Sequence, residues 1–249
     1  MDIAVWVIVL LSGICIGISK TGISTLGMVT VVLLTLVYPA KEAIGIMLPV
    51  LIVSDVIAVV YYRRTVVWRH LLSLIPWVLV GLVMGYAVLE LGSSEQVSFL
   101  VGILILLLVL LQLRKLRGQA GAAEKEPSAH PFWFGPIMGV LAGFATMIGN
   151  VSGIIMTIYL LSKKLPKNEF VGTGAWFFLA VNVIKLPLYV HLGLIHGGSI
   201  ILNLWMVPMA FAGAAIGIKL LSALPQRHFQ AVLLLFGGAG AIRLIVMGL

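Results

Sequence analysis

Ten apolar segments follow one another along this chain, and only short stretches separate them. They cover approximately residues 3–18, 22–38, 42–62, 70–91, 96–113, 134–148, 151–162, 169–190, 198–220 and 229–248. Apolar segments of about 20 residues cross a lipid bilayer as helices. A transmembrane β-barrel would instead require alternating apolar and polar residues, and these segments lack that pattern. The sequence therefore predicts an all-α, polytopic membrane protein.

The composition supports this class and excludes others. Hydrophobic residues make up 61% of the 249 residues and charged residues 10%, whereas soluble domains carry about 25% charged residues. The net charge is +8, and the basic residues lie in short loops between the apolar segments. This placement indicates membrane orientation and not nucleic-acid binding. No basic residue precedes the first apolar segment, so we expect no cleavable signal peptide. Cys15 is the single cysteine, and the spacing of cysteine and histidine predicts neither a metal site nor a cofactor.

The two halves of the sequence resemble each other. A shift of 127 residues superimposes Gly22 on Gly149, Pro39 on Pro166, Gly45 on Gly172 and Asp55 on Asn182. A shift of 132 residues superimposes Pro76 on Pro208, Gly81 on Gly213 and Gly85 on Gly217. The matches keep a fixed order, which favours a duplication. We predict a first repeat over 1–116, a cytoplasmic linker over 117–131 and a second repeat over 132–249.

The distribution of lysine and arginine predicts the orientation of the halves. Four basic loops lie near residues 63–69, 114–125, 163–167 and 219–227, whereas the loops at 39–42, 91–96 and 191–198 contain one lysine between them. Basic loops stay in the cytoplasm, so both termini are predicted to lie outside the inner (plasma) membrane. Five segments in each half then give two repeats of inverted topology, an arrangement common among transporters.

The first two segments of each half are short, and their connections are shorter than ordinary surface loops. The sequence GISKTG joins the first pair at 17–22, and GFATMIGN joins the second pair at 143–150. Twelve to seventeen apolar residues span a bilayer poorly. Each repeat is therefore predicted to hold a broken or re-entrant helical hairpin followed by three transmembrane helices.

Polar residues and glycines at these two turns predict an anion-binding site. A helix that restarts inside the membrane has N–H groups without partners, and its dipole favours a negative charge. Lys20 adds a full positive charge, which is costly at membrane depth unless it is paired or functional. The candidate ligands are Ser19, Lys20, Thr21, Gly22, Ser24 and Thr25 at the first turn, and Gly149, Asn150, Ser152 and Gly153 at the second.

Four further residues lie within the longer segments. Asp55 either pairs with Lys20, takes up a proton for coupling, or makes a structural hydrogen bond to a neighbouring helix. Asn182 and Trp176 are candidates to line the cavity. Lys185 precedes Pro187, and we expect its side chain to reach the outer surface, as lysines near the ends of membrane helices do.

Three sequence stretches resemble a known family. They are GISKTGISTLGM, LPVLIVSDVIAVVYYRRTVVWRHL and FVGTGAWFFLAVNVIKLPLY, and they are similar to the TauE/SafE family of sulfite exporter-like membrane permeases. The resemblance covers both halves in order. It implies efflux of sulfite, or transport of organosulfonates or related small anions, which agrees with the anion site argued from the helix ends.

The sequence thus favours a permease for a small sulfur oxyanion or organosulfonate, with a small anion and the lipid bilayer as partners. A homodimer is compatible with it. A non-transporting membrane partner or receptor is one alternative, and an intramembrane enzyme is another. An enzyme would need a nucleophile with a base or paired carboxylates, and Asp55 stands alone inside its segment. A cation channel would need rings of acidic residues, which are absent from the sequence.

Overall fold

The computed structural model describes residues 3–21, 26–62, 65–118, 131–223 and 226–249. These residues form helices and no strands, which confirms the predicted all-α class. In chain order the helices are α1 (Ile3–Thr21), α2 (Leu26–Leu34), α3 (Ala40–Tyr62), α4 (Trp68–Leu91), α5 (Ser94–Gly118), α6 (Phe134–Gly149), α7 (Gly153–Ser162), α8 (Lys167–His191), α9 (Gly197–Ala223) and α10 (Gln226–Met247).

Six helices in the described residues are long and apolar enough to cross a membrane: α1, α3, α4, α5, α8 and α9. Large apolar side chains cover their outer faces, among them Leu72, Val83 and Leu204, whereas a set of polar side chains is buried inside. A soluble protein rarely exposes apolar surface on this scale. The polytopic membrane protein predicted from the sequence is therefore confirmed.

Equivalent prolines set the starts of α3 and α8. The carbonyl of Pro39 accepts the Ala43 N–H at 2.9 Å, and the carbonyl of Pro166 accepts the Phe170 N–H at 2.9 Å. Proline suits the start of a helix because it has no N–H to leave unpaired there. The predicted shift of 127 residues thus relates two helix starts that have the same hydrogen bond.

Glycines on α1 and α9 allow these helices to pack closely. A side chain on Gly13 would lie 2.8 Å from the Met206 carbonyl oxygen, and one on Gly17 would collide with the Ala210 carbonyl. Residue numbers rise together along this contact, so α1 and α9 run parallel. Small residues at such interfaces are typical of membrane helices.

The same contact recurs between α6 and α4. Gly139 faces Leu74, and Gly143 faces the Val78 carbonyl. Gly13 and Gly139 differ by 126 residues, whereas their partners Met206 and Leu74 differ by 132. The first helix of each half is therefore related by a shift of 126 and not 127, so the second half holds one extra residue between this helix and the proline that precedes its third helix.

Two pairs of helices at equivalent places in the repeat pack against each other and run antiparallel. α3 packs on α8, where Asp55 contacts Asn182. α5 packs on α10, where the Ser98 hydroxyl donates to the Leu244 carbonyl at 3.0 Å. A two-fold axis that superimposes one helix of an antiparallel pair on the other is perpendicular to both helices. An inverted repeat requires an axis of this kind. The inversion across a bilayer and the boundaries of the two repeats stay predictions.

Candidate functional site

A chain of buried and half-buried polar side chains runs between α1, α3, α8 and the end of α6. The Lys20 ammonium at the end of α1 lies 2.8 Å from Asp55 Oδ1, and Asn182 Nδ2 donates to Asp55 Oδ2 at 2.6 Å. Lys185 Nζ lies 3.4 Å from Asn182 Oδ1 and also donates to Asn150 Oδ1. We call these five residues the core polar cluster. It joins the end of α1 to the turn between α6 and α7.

The cluster is enclosed by protein. The exposed fractions are 0% for Asp55, 2% for Asn182 and 0% for Lys185, whereas the Lys20 side chain keeps 11%. A charge taken out of water is costly unless it has partners, and here every charged group has them. Asp55, Asn182 and Lys185 are therefore buried, whereas Lys20 and Asn150 remain partly accessible.

The position of Lys185 shows that one prediction was wrong. Its side chain does not reach the outer surface but points into the core, where its ammonium donates to the Thr146 carbonyl at 2.7 Å and contacts the Thr146 hydroxyl at 3.3 Å. The expectation failed because α8 continues through Pro187 to His191, so Lys185 is not at the helix end. Its position one helical turn after Asn182 was the signal that could have identified it.

The turn after α6 is held by side chains of α8. Asn150 adopts the left-handed conformation with φ 54°, which asparagine tolerates better than most residues. The Lys185 ammonium donates a hydrogen bond to the Thr146 carbonyl, and the Tyr189 hydroxyl donates one to the Met147 carbonyl at 2.5 Å. The Thr146 carbonyl also accepts the Asn150 N–H at 3.1 Å, and the Lys185 ammonium adds a cation at this helix end, where it interacts favourably with the helix dipole.

The first turn has a different environment. The Ser19 hydroxyl donates to the Ile16 carbonyl at 2.8 Å, and the Thr21 hydroxyl donates to the Gly17 carbonyl at 3.0 Å and lies 3.1 Å from the Ala214 carbonyl of α9. Both hydroxyls thus bond to helix backbone. The other candidates of this turn, Gly22, Ser24 and Thr25, lie outside the described residues.

The second turn presents a free hydroxyl. Ser152 precedes α7 and makes no side-chain cap, and its buried Oγ has no hydrogen-bond partner among the described residues. Gly153 begins α7, and Gly149 packs against Val101. Buried polar atoms are almost always hydrogen-bonded, so a polar ligand at this turn would satisfy an atom that the fold leaves unpaired.

Trp176 lies apart from the core polar cluster. Its ring centroid is 5.1 Å from that of Trp68, and it packs against Ala58 and Val59 on α3. Its buried Nε1 has no hydrogen-bond partner within the described part of the chain. The structure therefore places Trp176 beside the site, about one helical turn from Asp55, and not within it.

The comparison with known families decides the class. A family model described as Sulfite exporter TauE/SafE matches residues 9–244 of the chain. The chain belongs to this family. Searches of curated proteins and of solved structures found no match. TauE/SafE proteins are membrane exporters of sulfite and related sulfur anions, so the resemblance carried by the three sequence stretches is confirmed.

Proposed function

We propose that this TauE/SafE protein moves a small sulfur oxyanion or organosulfonate, such as sulfite, across the plasma membrane, and that the core polar cluster with the two interrupted hairpins binds the anion. The observation that carries the proposal is the buried Lys20–Asp55 pair at the end of α1, linked through Asn182 and Lys185 to the second turn. Ionisable residues at membrane depth mark substrate pathways.

The anion is proposed to approach Lys20 and the restarting helices. Among the described residues the Lys20 ammonium contacts the Asp55 carboxylate and the Phe178 ring, whose centroid lies 4.2 Å from Nζ. An ammonium has three donors, so Lys20 retains donors for a ligand. The N–H groups of Gly153 and the residues after it, with Ser152 Oγ, are proposed to supply neutral donors.

Alternating access follows from the proposed inverted repeat. A largely buried cluster between two equivalent halves would open to one side and then to the other as the halves rock. In this proposal both termini lie outside and the basic loops face the cytoplasm. A non-transporting partner protein would gain nothing from burying two lysines, because each buried charge lowers stability unless it is compensated.

Flux of sulfite and of small sulfonates in proteoliposomes tests the proposal. The double variant Lys20→Ala, Asn150→Ala should lose most of the flux, because it removes the accessible cation and the partner of Lys185. Lys41→Ala is the matched control, since Lys41 donates to the Gly92 carbonyl at the other end of α3. Unchanged flux in the double variant would remove the cluster from the mechanism.

A further inference from the structure

The charged groups of the core polar cluster do not cancel. Two lysines and one aspartate meet in the core, and Lys20 and Lys185 are the charged groups that face Asp55, from α1 and α8. Counted with all three ionised, the cluster holds one positive charge in excess. Lys20 has the carboxylate as its counter-ion, so the excess belongs to Lys185.

The orientation of two amides shows which atoms Lys185 meets. Asn150 Nδ2 donates to the Ile44 carbonyl at 3.3 Å, and Asn182 Nδ2 donates to the Asp55 carboxylate. Each amide therefore turns its oxygen toward Lys185. Amide flips are assigned from such partners, and in both residues the nitrogen already has an acceptor.

The oxygens around Lys185 favour an ammonium. Its Nζ faces the Thr146 carbonyl and the amide oxygens of Asn150 and Asn182, none of which can donate a hydrogen bond. It also faces the Thr146 hydroxyl at 3.3 Å, which can donate as well as accept. An ammonium has three N–H donors, one for each oxygen that can only accept, whereas a neutral amine has two and would leave one of these oxygens without Lys185 as its donor. We therefore count Lys185 as charged.

We infer that the site binds one net negative charge. It binds either a monoanion alone, or a dianion together with one proton that Asp55 takes up. This inference rests on the proposed function and specifies its substrate charge. A monoanion neutralises the excess charge while Asp55 stays ionised. A dianion would leave the enclosed site negative, and transfer of a proton to Asp55 restores neutrality in the low-dielectric interior.

Methanesulfonate and sulfate test the inference, because both are small tetrahedral sulfur anions that carry one and two charges at neutral pH. Calorimetric titration of the detergent-solubilised full chain, in buffers of different ionisation enthalpy, counts the protons taken up with each ligand. We expect about zero for methanesulfonate and about one for sulfate. A count of zero for sulfate binding to the native chain would overturn the inference while leaving the proposed transport intact.

Variants assign the proton. Asp55→Asn removes the carboxylate, so its sulfate binding should be proton-free and stronger than its methanesulfonate binding, by roughly tenfold or more. Glu42→Gln, at the start of α3 beside His196, is the matched control and should still take up one proton. Uptake that persists in Asp55→Asn would contradict the inference. Failure of both probes to bind the native chain would count against the proposed function itself.

Discussion

A lysine ammonium lies beside each of the two helix breaks, but the two lysines belong to helices that are not equivalent. At the first break Lys20 extends from α1 to Asp55. The shift of 126 residues relates Lys20 to Thr146, and at that second position the ammonium comes from Lys185 on α8 and meets Asn182, the equivalent of Asp55. In the proposed repeat the two cations therefore occupy equivalent places but come from non-equivalent residues.

The difference lies in the counter-charge. Lys20 faces a carboxylate and remains partly accessible, whereas Lys185 faces neutral oxygens and is enclosed. The first lysine is thus suited to exchange its partner for a ligand, because one ion pair can replace another. The second has its donors already occupied, so it supplies fixed charge and holds the second turn in place.

Removal of Lys185 should have the largest effect. Lys185→Met removes the donor from the amide oxygens of Asn150 and Asn182 and leaves the Thr146 carbonyl with the Asn150 N–H alone, and we expect a loss of about 3–5 kcal/mol in unfolding free energy. Unfolding of the purified chain in detergent measures it. Lys41→Met serves as the control because its ammonium is only partly buried. Equal stability of the two variants would show that Lys185 does not hold the turn.

Removal of Lys20 should lower the anion affinity and cost the fold less than removal of Lys185, because Asp55 keeps the Asn182 amide as a donor and can take up a proton when its counter-ion is gone. Lys20→Met deprives the anion of its accessible cation, and a hydrogen bond to a charged group contributes about 1.5–3 kcal/mol. Anion affinity should fall by roughly 10- to 150-fold, measured by equilibrium binding of sulfite. A variant that destabilises the protein as much as Lys185→Met, with affinity preserved, would reverse the roles assigned to the two lysines.

The packing around the breaks should be equivalent in the two halves. A methyl group on Gly13 would meet the Met206 carbonyl, and one on Gly139 would meet Trp77 Cβ at 2.6 Å. Gly13→Ala and Gly139→Ala should each cost about 1–3 kcal/mol of stability through overpacking. Gly27 on α2 has open space around it, so Gly27→Ala is the control. A large effect in one half alone would break the equivalence.

Much of this architecture could be predicted from the sequence, because apolar length determines membrane helices and Pro39 and Pro166 mark equivalent starts. The role of Lys185 could not. A comparison of the two halves pairs residues at equivalent positions. Lys185 supplies the positive charge in the second half, but its position is not equivalent to that of Lys20. The partners of Ser19 and Thr21 were also hidden, since a hydroxyl bonds its own helix or a ligand according to packing that the sequence does not display.

Two serines provide the finest comparison between the breaks. The Ser19 hydroxyl already has the Ile16 carbonyl, whereas the buried Ser152 hydroxyl has no partner among the described residues. Ser152→Ala should lower anion affinity by roughly fivefold, the value of one neutral hydrogen bond of about 1 kcal/mol, and should leave stability equal or slightly higher. Ser19→Ala should leave affinity unchanged. Anion binding and unfolding are measured on both variants. An affinity loss confined to Ser19→Ala would place the neutral donors of the site at the first break. The Ser19 hydroxyl would then have to leave the Ile16 carbonyl in order to contact the anion.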